Sequence, residues 1–349
     1  MKRLAALGAL LALSGCSTIG YYAQAVGGHL EVMRLAAPIE ERLREPDTPE
    51  ALRAKLARAL AIREFASREL ALPDNGSYRR YADLGRPFVV WNVFAAPEFS
   101  VEPLESCFPF AGCVSYRGYY SEEAARAYAA ALAEKGYDVY VGGVPAYSTL
   151  GWFDDPVLST FIHYPEAELA RVVFHELTHQ AVYLKGDTMF NESFASTVEE
   201  EGVRRWLERE GTPAQREAYG ESRRRRSEFS ALMVKYRARL AAFYERPASI
   251  EERRAGKQRL FAGLLDEYRT LKTSWGGFAG YDRLFARGAN NALLASVASY
   301  AELVPAFRAL LAQKQGDLKA FYDAVRDLER LEKPERDARL AALVSTPVN

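Results

Sequence analysis

The chain has 349 residues, 49% of them hydrophobic, and its 46 Lys+Arg balance its 46 Asp+Glu to a net charge of +0. That length can bury a sizeable core, and the composition is ordinary for a globular protein. The missing charge excess removes any global electrostatic case for a nucleic-acid partner.

Taken in order, Lys2 and Arg3 form a basic start, and residues 4–13 are an apolar run too short for a conventional membrane helix. Leu13-Ser14-Gly15-Cys16 follows and resembles a bacterial lipobox. The resemblance implies that residues 1–15 are a signal peptide, cleaved before a lipidated Cys16. The competing reading is an ordinary secretory signal with an incidental cysteine. Ser17 stands where an inner-membrane retention signal carries Asp, which by resemblance to sorted lipoproteins points to the periplasmic face of the outer membrane. Export to an oxidising compartment predicts a Cys107–Cys113 disulfide, with two buried thiols as the alternative.

Residues 19–43 read as a helix with an apolar side of Tyr21, Tyr22, Val26, Leu30, Met33 and Leu35, on which His29 is expected to be structural or exposed rather than a ligand. Pro46 to Pro49 breaks the chain, 49–72 is a second amphipathic helix, and 73–77 is a turn cluster. Residues 87–94, 112–120 and 137–141 are strand-like. Ser121-Glu122-Glu123 caps a helix that runs to Lys135 and stops at Gly136. Residues 142–150 continue as an irregular or edge strand. Beyond them, Asp154 and Asp155 either hold a substrate amine or serve as turn and N-cap residues before Pro156, and His163 packs or walls a cleft.

His175-Glu176-Leu177-Thr178-His179 is an H-E-x-x-H motif on a helix whose apolar stripe is Leu169, Val172, Val173, Leu177, Ala181 and Leu184, with Gly186 as its stop. Residues four apart share a helix face, so both imidazoles can grip one ion while Glu176 faces a water as general base. Two satisfied core histidines are the structural alternative. Asn191-Glu192-Ser193-Phe194-Ala195-Ser196-Thr197-Val198-Glu199 reads as a second helix with Glu192 at its start. Glu192 is the expected third ligand, and Glu199, two turns on, the carboxylate that orients a ligand histidine.

The remainder is helical: 202–210 finishes the second site helix, and 213–246, 250–273, 290–311 and 317–330 follow, with a helical pattern again from Pro334. Arg223–Arg226 reads as a solvated face, membrane-surface contact being the alternative. Residues 275–281 are a Gly-rich break, and Pro305 kinks or splits 290–311. There is no internal repeat or long low-complexity linker.

The two motifs together resemble the gluzincin metallopeptidases, whose large zinc aminopeptidases carry N-E-G-F-A-S-Y-V-E. Ser193 departs from that pattern, and the interval from His179 to Glu192 is shorter. More closely, the chain from near Cys16 to the C-terminal region resembles a bacterial family of predicted zinc aminopeptidases on lipoproteins, including the stretches 72–96 and 137–155. The resemblance implies Zn2+ on His175, His179 and Glu192, with Glu176 as base and a peptide or protein substrate in the cell envelope. Zincins pair substrate with an edge strand, for which 146–149 is the candidate, a plain loop being the alternative. Gluzincins often add a Tyr or His at the oxyanion; Tyr300 is the candidate and Tyr147 its rival. For the substrate amine, Glu199, Glu200, Asp154 and Asp155 are available. Endopeptidase action stays open, as does a non-enzymatic envelope scaffold with a structural zinc site, although such a site does not need Glu176.

The expected fold is α+β and mostly helical: a zincin-like metallopeptidase core with a small mixed β-sheet and a C-terminal helical part. One domain is expected over 16–349, with N-terminal helices at 16–86, sheet and metal helices at 87–210, and a helical cover at 211–349.

Overall fold

The computed structural model describes residues 20–108, 112–298 and 302–345. The signal segment, Cys16 and Tyr300 lie outside the described residues. The fold is α+β and mostly helical, with small sheets that supply part of the cleft wall.

The expected helix 19–43 is two helices, α1 (20–35) and α2 (Ile39–Arg44), separated by the short strand β1 (Ala37–Pro38). Pro38 has no N–H to continue a helix, and β1 instead pairs antiparallel with β2 (Arg80–Ala82). The apolar side of α1 is only partly buried: Val32 is inside, whereas Tyr22, Val26 and Leu30 are exposed. Helix α3 (Glu50–Leu70) carries Arg63, fully buried, whose guanidinium donates to the carbonyls of Pro73, Asn75 and Ser77 and so clamps the 73–77 turn.

Strand β3 (Val90–Pro97) is central to an antiparallel sheet, between β6 (Arg117–Tyr119) and β7 (Tyr137–Val144). It is buried on both faces, which is why its sequence is a nearly unbroken apolar run rather than an alternation. One face, with Trp91, Val93 and Ala95, packs on Ala125, Ala129 and Leu132 of α4 (Glu122–Ala133), which Ser121 caps by accepting from Ala124 N–H.

The expected strand 112–120 is two strands in two sheets. β5 (Gly112–Val114) pairs with β4 (Ser106–Phe108), while β6 joins β3. Cys107 and Cys113 face each other across the β4–β5 pair and form the expected disulfide. Strand β7 ends at Val144 and residues 145–150 make no strand pairing, so of the two readings of 146–149 the plain loop holds and the candidate edge strand does not. β8 (Val157–Leu158) then pairs parallel with β2, making that sheet mixed.

Helices α5 (Glu166–Ala181) and α6 (Thr188–Glu210) pack along each other through the largest apolar core. A Cβ at Gly202 of α6 would meet Phe174 and Leu70 side chains at 2.7 Å, so glycine is what permits this approach. α5 ends at Ala181, short of Gly186, which at φ +83° turns the connection instead.

Helices α7 (Pro213–Tyr244) and α8 (Ile250–Ser274) each start with a capping box, Thr212/Gln215 and Ser249/Glu252, and with α9 (Asn291–Ala298) form a second core. Residues 290–311 are split, as the proline suggested: α10 (Val304–Gln313) starts afresh with Pro305 in its first turn. Helices α10, α11 (Leu318–Glu329) and α12 (Lys333–Ser345) return to the α5/α6 core, where Phe307 meets Phe190 and Phe194.

Candidate active site

His175 and His179 sit one turn apart on the cleft side of α5, whose opposite side buries Leu169, Val173 and Leu177 in the core. The chain then turns tightly. Asn191 accepts from Leu184 N–H at 2.8 Å and donates to Leu184 O at 2.7 Å, and Asp187 caps α6 by accepting from Phe190 N–H. This clamp places Glu192 against the histidines in spite of the short interval. Its Oε2 is 3.1 Å from His175 Nε2 and its Oε1 3.9 Å from His179 Nε2. All three side chains are buried, and one ligand atom from each lies within 4.8 Å of the others, a group that could hold a metal ion. The other departure also has a use. Ser193 is fully buried, and its hydroxyl accepts from Leu303 N–H at 3.2 Å, pinning the start of α10.

The residues present fit a divalent cation. Four carboxyl groups, Glu168, Glu176, Glu192 and Glu199, gather here around the guanidiniums of Arg171 and Arg226 and the imidazoles of His175 and His179, a donor set of nitrogen and oxygen that suits such an ion. Burial alone would lower His175, but hydrogen bonds to Glu192 and Glu199 lift it to about 10. Burial pushes His179 down to about 4, and its Nδ1 is buried without a hydrogen-bond partner.

Glu199 accepts from His175 Nδ1 at 2.8 Å, which leaves Nε2 facing Glu192. Its own burial would raise it, but the charge of Arg171, 3.2 Å away, and the bond to His175 hold it near 2. Arg226 adds a second cation at 3.8 Å and bonds Glu168 at 2.8 Å. The arginine run is therefore not wholly a solvated face. Arg224 and Arg225 pair with neighbours on their own helix, whereas Arg226 crosses to α5 and α6. The run alone gave no sign of this, because it depends on how α7 packs.

Burial lifts Glu176 to about 7, with the charge of His175 acting the other way. Next to it lies a polar cluster that holds α5 in place. Gln180 accepts from Asn75 Nδ2 at 2.8 Å and donates to Ser77 Oγ and to Asp155 Oδ2. Asp155 also accepts from Thr149 N–H and is raised by burial to about 6. Tyr78, fully buried with Glu176 and Asp155 as its neighbouring charges, has φ +62° and a hydroxyl with no hydrogen-bond partner. A bulky residue in the left-handed region is a strained position, here beside the candidate base.

The cleft above these residues has a volume of about 1210 Å³. Its walls come from α1, the sheet, the 145–150 loop, α7 and α10, with Tyr21, Tyr116, Tyr147, Tyr183 and Arg308 among them. Tyr116, on the β5–β6 connection, is the tyrosine that reasoning from sequence missed. Its phenol is held neutral by burial and by the charges of Glu192 and Glu176. Nothing marked it among 20 tyrosines. Tyr147 lines the cleft too, but its hydroxyl bonds His29 Nδ1 at 2.8 Å, which also accounts for His29 as a structural residue.

Of the amine-binding candidates, Glu199 and Glu200 line the cleft, with Glu200 bonded to Arg308. Asp155 points inward as a turn residue, and Asp154 is exposed against Gly76. Glu302, not anticipated, lines the cleft and pairs with Arg237 at 3.1 Å. His163 is exposed and not part of the cleft wall.

A family model described as "Putative aminopeptidase" matches residues 20–340. No curated protein and no solved structure matches the chain.

Proposed function

The chain belongs to this putative aminopeptidase family, and from that premise we propose that it is a zinc-dependent peptidase, acting as an aminopeptidase and anchored through Cys16 in the bacterial cell envelope. The observation that carries the reading is the convergence of His175, His179 and Glu192 in a buried group at the base of a cleft, with Glu176 beside them.

Zinc on those three residues would supply Lewis-acid polarisation of a scissile carbonyl and a more acidic water molecule. The chain's own residues do the rest. Glu176 takes the attacking water's proton and delivers it to the leaving amine. The Tyr116 hydroxyl donates to the oxyanion as it forms, with Tyr183 the other tyrosine near Glu192. Glu199 fixes the His175 tautomer through Nδ1, and Arg171 and Arg226 keep Glu199 ionised. Glu200 and Glu302 are the cleft carboxylates placed to receive a free amine, each exchanging part of its arginine contact for the substrate ammonium.

An endopeptidase is the second reading, favoured by a cleft of about 1210 Å³, larger than one terminal residue requires. Incubating the zinc-loaded chain with peptides and their N-acetylated twins separates the readings by mass spectrometry. Stepwise loss from free N-termini, with the acetylated twins intact, supports the aminopeptidase. Internal cuts in both sets support the endopeptidase. Hydrolysis that survives chelation refutes the metal mechanism. A chain that holds zinc yet cuts nothing supports the scaffold reading.

A further inference from the structure

The outward face of α1 over its first three turns consists of Gly20, Tyr22, Ala23, Val26, Gly27 and Leu30, with no charged residue. Val26 and Leu30 are each 57% exposed and Tyr22 39%. At 100° per residue these three fall within an arc of about 80°, and His29 lies at its margin. The His29 ring packs on Phe153 at 4.5 Å, so the loop carrying Trp152, 71% exposed, and Phe153, 51% exposed, extends the same apolar surface. No described helix is long and apolar enough to cross a membrane.

We infer that this face, the outer stripe of α1 together with Trp152 and Phe153, is a docking surface that seats on a lipid bilayer. The occupant follows from the chain that precedes it. Cys16 lies four residues before Gly20, the first described residue of α1, and at about 3.5 Å per residue an acyl group on Cys16 would hold that residue within about 14 Å of the bilayer. A helix held there presents its uncharged face to lipid at little further ordering cost, and a tryptophan beside it suits the headgroup boundary. Within the arginine run, Arg224 and Arg225 are neutralised by Glu221 and Glu228, and Arg226 is turned toward Glu168. The inner face of α1 supplies Tyr21 and Ala25 to the cleft wall, so the bilayer would lie about one helix diameter, roughly 10 Å, from the cleft. The choice of lipid over a second copy of the chain rests on the proposed Cys16 anchor.

Three of the four tryptophans, Trp91, Trp206 and Trp275, are buried, so a change in emission on adding lipid reports Trp152. Every described element lies within 20–345, and the chain starting at Ser17, which lacks the acylated cysteine, is therefore the species to mix with phosphatidylethanolamine–phosphatidylglycerol vesicles. The expected result is flotation with the vesicles that half-molar salt does not abolish, a blue shift, and quenching by bromolipid. Val26→Glu with Leu30→Glu, and separately Trp152→Ser, should each lower partitioning about ten-fold with unchanged circular dichroism. Unshifted emission at millimolar lipid overturns the proposal, as does partitioning that both variants retain. So does a dimer in the absence of lipid that Val26→Glu dissolves, since the face would then belong to a second copy. The anchor is read separately, from the mass of the N-terminal peptide of the full-length chain made in bacteria. An unacylated Cys16 beside a quenched Trp152 sinks the anchor and leaves the surface standing. Acylation with an unquenched Trp152 does the reverse.

Discussion

Glu199→Gln keeps the shape of the side chain and an oxygen able to accept from His175 Nδ1, but removes the charge and turns an amide donor toward guanidiniums that are donors themselves. In the parent, the carboxylate is 2.8 Å from His175 Nδ1, 3.2 Å from an Arg171 nitrogen and 3.8 Å from an Arg226 nitrogen. Its charge is therefore shared between orienting one candidate ligand and pairing with two arginines. Substitutions of such partners cost roughly 10–100-fold in metal affinity, or about 1.4–2.7 kcal/mol. The assay is chelator-competition titration of zinc. Thermal unfolding with and without saturating zinc serves as a second readout, because metal-linked stabilisation falls by about 1.4 kcal/mol for each ten-fold loss of affinity. The variant should bind zinc at least ten-fold more weakly, while the metal-free fold unfolds with an unchanged denaturant slope. A zinc affinity within two-fold of the parent would refute the assignment of Glu199 and of the arginines behind it.

Other outcomes follow from the same cluster. Asp155 is lifted from 3.8 to about 6 by burial, so the folded chain holds a proton that the unfolded chain has released between those values. Stability should fall as pH rises through that window and then level off, by up to about 3 kcal/mol. Asp155→Asn should therefore gain about 1–2 kcal/mol in urea at pH 8 with chelator present, after allowing for a poorly matched amide, and nothing at pH 4; equal gains at both pH values would count against it. Tyr116→Phe should lower kcat about 10²–10³-fold with KM little changed, and full activity there would pass the role to Tyr183, whose Phe variant is the control. Cys107→Ser opens the short β4–β5 loop and should cost about 2 kcal/mol in urea unfolding under oxidising conditions; no loss would show the disulfide to be dispensable.

The parts of the molecule governed by local rules were legible from the residues. Ser121 caps α4 as its place before Glu122-Glu123 indicates, and His175 and His179 share a face because helical periodicity fixes that pair, while Glu192 reaches them through the Leu184–Asn191 turn. Strand partnership was not legible, since 112–120 has one continuous β-propensity and only tertiary pairing divides it between two sheets. The break at Ala37–Pro38 was hidden by a helical pattern on both sides. Arg226 and Tyr116 were hidden for a common reason: each reaches the site across an interface that no spacing within its own segment encodes. The apolar stripe of α1 was legible as a stripe, but which part of it is buried was not, because the same pattern serves a core and a docking face.

The most direct test of the central claim compares the parent with Glu176→Gln, both loaded with zinc and assayed on the same free-N-terminus peptide. The account predicts equal zinc content in the two proteins and a rate lower by about 10²–10⁴-fold in the variant, because the ligands are untouched and only the proton acceptor is lost. A variant that holds one zinc and cleaves as fast as the parent would contradict it.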